Sequence, residues 1–401
     1  MKRLPMAAAA TVAVLGVAGV IGAVTQTPDA SATQVPGQLQ KDANAILRQG
    51  APGVLADLST STGHVRVRAG VADTTTGKPV PWDAKFRVGS FTKTFVATTV
   101  LQLVGEGRLS LDDSVDKWLP GVVTGNGNDG TKITVRQLLQ HTSGLPDYLA
   151  APQFAFLGSE EGFTAGRDKD YAARQLVAFA MALKPNFAPG TNWSYSNTNY
   201  VLAGLIIRKV TGHDWRAEVT RRIIRPLGLK DTTIPATDHT VPEPHAIGYE
   251  RFPGPDATAT DPKYGPAIDA TELSPTWGDA AGAIISTTAD GNTFLRALLA
   301  GTLLRPAQLA EMKKTVPAPG FQAPFPGARY GLGLMSTPSS CGLIWSHGGD
   351  IHGYKTRNGV NSQGSRSIIV SLNTDSLVPE PGAPAPTRDQ SLTLIEDALC
   401  S

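Results

Sequence analysis

Apolar and polar residues alternate with period two from Gly53 to Asp73 around a Ser-Thr-Gly turn, which predicts a β-hairpin with one buried face. Ahead of it, Lys41 to Gln49 reads as a short amphipathic helix. Phe86 to Gly89 predicts another short strand, and at Ser90 the period changes. Val96, Val100, Leu103 and Val104 then recur at helical spacing until Gly105, which places Ser90 at a helix N-terminus. From Leu109 to about Gly248 the pattern is mainly helical. Thr134 opens a capping box with Gln137, Leu138 and Leu139 follow, and Gly144 ends the run. Further helices are expected over residues 172–183, 199–211 and 215–224. Residues 250–275 and 315–329 are rich in Pro, Gly and Asp and read as long surface loops, with a helix from Thr288 to Leu299 between them. Strands return at Leu343–Ser346, Gly353–Val360 and Ser367–Leu372, before a Pro-rich loop and a final helix at Leu392–Leu399.

Strands at both ends and helices between them predict an α+β fold. One sheet is assembled from the two termini, and a mainly helical region at about 109–250 is inserted into it. The groove between the two parts is the expected place for an active site.

The N-terminus bears on compartment. Lys2 and Arg3 precede a run from Met6 to Val24 without a charged residue, and the small triplet Ala30-Ser31-Ala32 follows, the layout of a secretory signal cleaved after Ala32. Residues 1–32 are therefore expected to be a signal peptide and 33–401 a single exported domain, without a stable membrane span after cleavage. An uncleaved anchor is the alternative. The first cysteine is Cys341, so a lipoprotein anchor at this site is excluded. With 36 basic and 34 acidic residues, dispersed along the chain, nothing points to a nucleic-acid partner. In an oxidising compartment the two cysteines, Cys341 and Cys400, pair most simply with each other; two free buried thiols are the alternative.

Candidate chemistry begins at Ser90-Phe91-Thr92-Lys93. Residues three apart share a helix face, so an S-x-x-K element brings an amine to a hydroxyl. The hydroxyl is a poor nucleophile until a base takes its proton, and a lysine is such a base only where burial lowers its pKa. Phe86, Val88, Phe91 and Phe95 supply apolar surroundings, and the Ser90 N–H at the helix start can hold an oxyanion. Ser114-Val115-Asp116-Lys117 also matches S-x-x-K, but its acidic neighbours mark an exposed capping segment. Tyr195-Ser196-Asn197 places a phenol and a carboxamide on one side of an extended segment; alternatively, the tyrosine is buried and the asparagine caps a helix. His347-Gly348-Gly349 closes a strand with exposed backbone, where the histidine can act as a cation or donor and the Asp350 N–H as a second oxyanion donor; an ordinary turn is the alternative. The other histidines show no zinc-ligand spacing, so neither metal nor cofactor is expected.

The order S-x-x-K, Y-x-N, then a basic residue with glycine on a late strand resembles the serine penicillin-recognising hydrolases. The stretches Phe86–Lys93, Leu138-Leu139-Gln140-His141-Thr142-Ser143-Gly144-Leu145, Pro189–Tyr200, Tyr330-Gly331-Leu332-Gly333-Leu334 and Trp345–Tyr354 are similar to secreted D-alanyl-D-alanine carboxypeptidases and class C β-lactamases. That resemblance implies an antiparallel sheet flanked by helices and a two-step acyl transfer. In it Ser90 attacks the carbonyl, Lys93 or Tyr195 acts as base, Tyr195 passes a proton to the leaving amine and Asn197 holds the acyl amide. His347 stands where many relatives carry lysine, and Trp277 either walls the cleft or belongs to the core. It further implies, for an expected monomer, a peptidoglycan stem peptide or small acyl substrate, and β-lactams as covalent inhibitors or substrates. Two positions depart from the pattern: Gly348 replaces a hydroxyl residue, and Met335 replaces a carboxylate-binding arginine, for which Lys355 or Arg357 could substitute. The leading expectation is a serine D-Ala-D-Ala carboxypeptidase. An esterase or β-lactamase of the same fold, and a catalytically silent cell-wall-binding protein, are the competing readings.

Overall fold

The computed structural model describes residues 30–254, 256–258, 263–379 and 389–401, with side chains from residue 35 onward. The charged start and apolar run read as an export signal lie outside the described residues, as does most of the Pro-rich loop before the last helix. The helices that matter for the site are α1 (Ala30–Leu47), α2 (Thr92–Gly105), α3 (Val135–Gln140), α4 (Ala173–Met181), α5 (Asn197–Thr211), α6 (Thr288–Leu299) and α7 (Gln390–Cys400). The main strands are β1 (Gly53–Thr60), β2 (Gly63–Gly70), β3 (Met335–Ser339), β4 (Gly342–Ser346), β5 (Gly349–Ile351), β6 (Tyr354–Asn361) and β7 (Ser367–Leu372).

These strands form one antiparallel sheet in the order β2-β1-β7-β6-β4-β3, extended by the short strands Arg329–Tyr330 and Val316–Pro317, with β5 attached to β6. The predicted hairpin is β1–β2, and β1 continues the sheet by pairing with β7, so both termini build it. Seven of the eight β1 residues are buried because both faces are covered, whereas β2 lies at the edge and alternates toward solvent. On one face α1 and α7 lay Leu39, Ala43, Ile46, Leu394 and Ala398 over Val54, Ala56, Leu58, Ile368 and Val370. On the other, α6 packs against β1 and β7 and leads into the helical region. There α2 is the central helix, with eleven of its fourteen residues buried. Phe95 stacks on Phe294 of α6 with ring centroids 3.6 Å apart.

Several details differ from the sequence pattern. Helix α1 begins well before Lys41 and contains Pro36; it docks on the sheet. The two expected loops carry short paired strands, Tyr249–Glu250 with Ile268–Asp269 and Val316–Pro317 with Arg329–Tyr330. Gly331 to Leu334 is not strand but the tight turn that leads into β3. A Cβ at Gly331 would lie 2.2 Å from the Met312 carbonyl oxygen, and one at Gly333 2.5 Å from Ala97 Cβ, so glycine lets Leu332 and Leu334 bury between these contacts.

Candidate active site

The strand Phe86–Arg87 pairs with Ile285–Ser286 and delivers the chain to the head of α2. The buried Arg87 guanidinium fixes it by donating to the carbonyls of Thr271 and Leu273, both at 3.2 Å, and of His239. Gly89, at φ 52°, turns the backbone, and Ser90 follows in the single 3-10 turn that runs into α2. Two backbones meet here closely. A Cβ at Gly349 would lie 1.9 Å from the Val88 carbonyl oxygen and 2.9 Å from the Ser90 nitrogen, and one at Gly89 would lie 3.1 Å from the Asp350 nitrogen. Glycine at both positions therefore brings the Ser90 and Asp350 N–H groups together at the mouth of the cleft, the arrangement an oxyanion needs.

One turn along α2, Lys93 is fully buried. Its Nζ lies 3.0 Å from Ser90 Oγ, 2.7 Å from Asn197 Oδ1 and 2.8 Å from the Ala281 carbonyl oxygen. Burial pushes its pKa down to about 7, against an opposing pull from Asp147. A neutral amine has two N–H donors and one lone pair. Asn197 and Ala281 accept the two donors, which leaves the lone pair facing the Ser90 hydroxyl. The second S-x-x-K copy does nothing comparable: Ser114 caps its short helix by accepting from the Lys117 backbone N–H at 3.2 Å, and the exposed Lys117 ammonium pairs with Asp113.

Tyr195 lies beside this pair, its ring 4.8 Å from Lys93 Nζ. Its hydroxyl is buried and approaches the Ser90 side chain, and burial holds its pKa well above the usual phenol range, so it is protonated at neutral pH. The ring stacks on His141 at 4.3 Å between centroids. His141, from the Leu138–Leu145 stretch, ends α3 in the left-handed region, and its Nδ1 accepts from Ser196 N at 3.2 Å and Asn199 Nδ2 at 3.1 Å. Burial and the nearby Lys93 keep it neutral.

Asn197 lines the cleft, and its carboxamide is already oriented: Oδ1 accepts from Lys93 and Nδ2 donates to Asp147 at 2.8 Å, which leaves one N–H for a substrate. Two expectations change. His347 reaches the cleft but not as a cation. Its Nδ1–H donates to the Gly348 carbonyl at 2.8 Å, its Nε2 accepts from the Tyr330 hydroxyl at 2.7 Å, and burial with the nearby Lys93 lowers its pKa to about 3. Trp277 is a core residue and not a cleft wall. It lies in the buried turn Pro275–Trp277, its carbonyl accepts from the Tyr148 hydroxyl, and its ring packs edge-on toward His352.

The cleft holds about 240 Å³ and is bounded by Ser90, Tyr195, Phe321, Tyr330, Met335 and Arg357, with Phe325, Asn197, His347, Gly348 and Asp350 completing it. Of the two cations considered as replacements for the absent arginine, Arg357 is the one that lines it. A Cβ at Gly348 would lie 3.2 Å from Arg357 Nη1, so the missing side chain at 348 makes room for the guanidinium. Arg357 pairs with Asp350 at 2.8 Å and Asp389 at 3.3 Å, and Lys355 is held between Asp350 and Asp375, each at 2.8 Å. These cations hold the Asp350 carboxyl well below the usual range. The sequence reading missed Asp147 altogether. The only signal for it was its position just after the His141–Leu145 stretch. The predicted disulfide joins Cys341 to Cys400. Among the described residues no group of three His, Cys, Asp or Glu side chains converges on a metal position, and no helix is long and apolar enough to cross a membrane.

A sheet built from both termini, a helical insertion and, between them, a serine beside a buried lysine define a serine hydrolase of the β-lactamase fold. Residues 29–392 match the Beta-lactamase family, and the chain belongs to it. Its fold is similar to that of a D-stereospecific amidohydrolase from Streptomyces sp., at 41% identity over 91% of this chain and 98% of that one, with a TM-score of 0.80. It is also similar to D-amino acid amidase from Ochrobactrum anthropi SV3, at 27% identity over 91% and 97% of the two chains and a TM-score of 0.74 or less, 0.73 in its complex with L-phenylalanine amide. Esterase EstB from Burkholderia gladioli is 36% identical over 186 residues, 45% of each chain. The chain matches under half the length of the curated relatives it resembles.

Proposed function

We propose that this protein hydrolyses small D-configured acyl amides through an acyl-enzyme on Ser90. The observation that carries the reading is the fully buried Lys93 amine, 3.0 Å from Ser90 Oγ and with acceptors on Asn197 and Ala281 for its two N–H groups once it is neutral. In the first step Ser90 Oγ attacks the carbonyl carbon as its proton passes to Lys93, and the N–H groups of Ser90 and Asp350 receive the oxyanion. The phenol of Tyr195, protonated at the outset, donates to the leaving amine and is resupplied from Lys93. Water then repeats the sequence on the ester. Lys93 rather than Tyr195 is the resting base, because its amine lies 3.0 Å from Ser90 Oγ and titrates near 7, whereas the Tyr195 phenol is held protonated by burial.

The substrate class rests on likeness to two structures named as a D-stereospecific amidohydrolase and a D-amino acid amidase, and on the aromatic cleft. Carboxypeptidase action on D-Ala-D-Ala stem peptides is the second reading. It is favoured by Arg357 in the cleft wall, whose Nη2 has no partner among the described residues. Against it, Asp350 and Asp389 already neutralise that guanidinium, and Met335 offers a carboxylate nothing. Ammonia release from D-phenylalanine amide, D-alanine release from a diacyl-L-lysyl-D-alanyl-D-alanine peptide and nitrocefin turnover are to be compared on one preparation. Faster turnover of the D-amide than of its L-enantiomer and of the peptide is expected; a faster peptide would establish the carboxypeptidase instead. Failure of both labelled penicillin and a fluorophosphonate to mark Ser90 would leave only the silent wall-binding protein. We further propose that the enzyme acts outside the cytoplasm, so that protein recovered from medium starts at Thr33; recovery solely inside cells with Met1 intact would oppose this.

A further inference from the structure

We propose that Asp147 is a positioning residue for Lys93, the outer end of a part-buried chain Ser90–Lys93–Asn197–Asp147 that sets both the direction and the charge of the amine. One carboxylate oxygen of Asp147, Oδ2, accepts from the Asn197 backbone N–H at 3.1 Å and from its Nδ2 at 2.8 Å, while Oδ1 accepts from the Leu149 N–H at 3.0 Å. The carboxamide therefore has one orientation. Its NH₂ end must face the carboxylate, so its Oδ1 must face the lysine, 2.7 Å from Nζ. The three N–H partners of this partly buried carboxylate compensate for its lost solvation.

The other ionisable groups around Lys93 do not share this role. Tyr195 and Tyr200 present their rings at 4.8 and 5.7 Å, and burial keeps both phenols protonated. His141 and His347 are each held neutral by burial and by Lys93 itself. Asp147 is left as the charge that opposes desolvation of the amine, and burial in turn raises its own pKa. Lys93 and Asp147 are thus coupled across the Asn197 carboxamide, the charge of each biasing the protonation of the other.

This rests on Lys93 being the base, and the test separates the two claims. In the wild type, the rate of Ser90 acylation by a fluorophosphonate should rise with pH through an inflection near 7. Absence of that limb removes the base assignment. In Asp147→Asn the limb should move to lower pH by about one unit or more, because the opposing charge is gone, and the plateau should fall at least tenfold because one of its acceptors becomes a donor. Asp147→Glu, which keeps the charge but not the alignment, should lower the plateau and leave the limb near its wild-type position. An apparent pKa does not depend on how much protein is folded, so partial loss of fold does not mimic the shift. If neither variant folds, a wild-type ¹³C NMR titration decides: the Asp147 carboxyl signal should respond where the Lys93 side chain titrates. A limb unmoved in Asp147→Asn, or an Asp147 signal indifferent to the titration of Lys93 in the wild type, overturns the proposal.

Discussion

At the scale of single residues, the chemistry depends on which groups burial neutralises. The pKa of Lys93 lies below that of an exposed lysine, so unfolding takes up a proton between about 7 and 10.5 and stability rises with pH across that window. Activity has the same sign for a different reason: below about 7 the lysine carries its proton and cannot accept one from Ser90. Lys93→Ala should lower kcat/KM by roughly a hundred- to ten-thousandfold with ester substrates, the range of a positioned general base; a loss under fivefold would contradict the role. His347 should add no inflection near 6.5, since its pKa is already about 3. Consequently His347→Gln, which can still accept from Tyr330, should keep the wild-type shape of the pH profile. A limb near 6.5 that disappears in the variant would show that the imidazole does titrate there.

Elements succeed or fail here by how closely their backbones approach. The serine sits where a two-residue strand, a 3-10 turn and α2 meet β5, and the junction admits no side chain at 349. Gly349→Ala, with its Cβ 1.9 Å from a carbonyl oxygen, should separate Ser90 N from Asp350 N; acylation should fall by about a hundredfold or more, as when an oxyanion donor is lost. Wild-type acylation in this variant would show that the two N–H groups do not act together. Strongly periodic elements such as the β1–β2 hairpin, α6, β7 and the Thr134–Gln137 capping box were legible in the sequence, because one face of each is buried or its cap is local. Helix α1, strand β3 and the Gly331–Leu334 turn were not. Pro36 and Pro338 interrupt the local pattern, and only packing against distant segments gives these elements their shape. The same distinction holds in the site. Ser90, Lys93 and Tyr195 sit in short motifs, whereas the pairing of Asn197 with Asp147, fifty residues away in sequence, has no local signature. Likewise, the guanidinium of Arg357 fills space left by Gly348, in the link between β4 and β5.

Over the whole molecule, the disulfide ties α7 to the β3–β4 turn across 59 residues. A loop of that length contributes about 4 kcal/mol in the chain-entropy model, so Cys341→Ser with Cys400→Ser should lower the melting temperature by several degrees. The catalytic rate should change little, because the bridge sits at the turn of the β3–β4 hairpin, whose other end, Met335 beside Ser346, faces the cleft. An unchanged melting temperature, or loss of activity without loss of fold, would contradict this. The measurement that tests the central claim most directly is mass spectrometry of Ser90 acylation as a function of pH. The account predicts one adduct, on the peptide containing Ser90, forming about tenfold more slowly for each pH unit below 7 and at a constant rate above it. An adduct on another residue, or a rate indifferent to pH between 5 and 9, would contradict it.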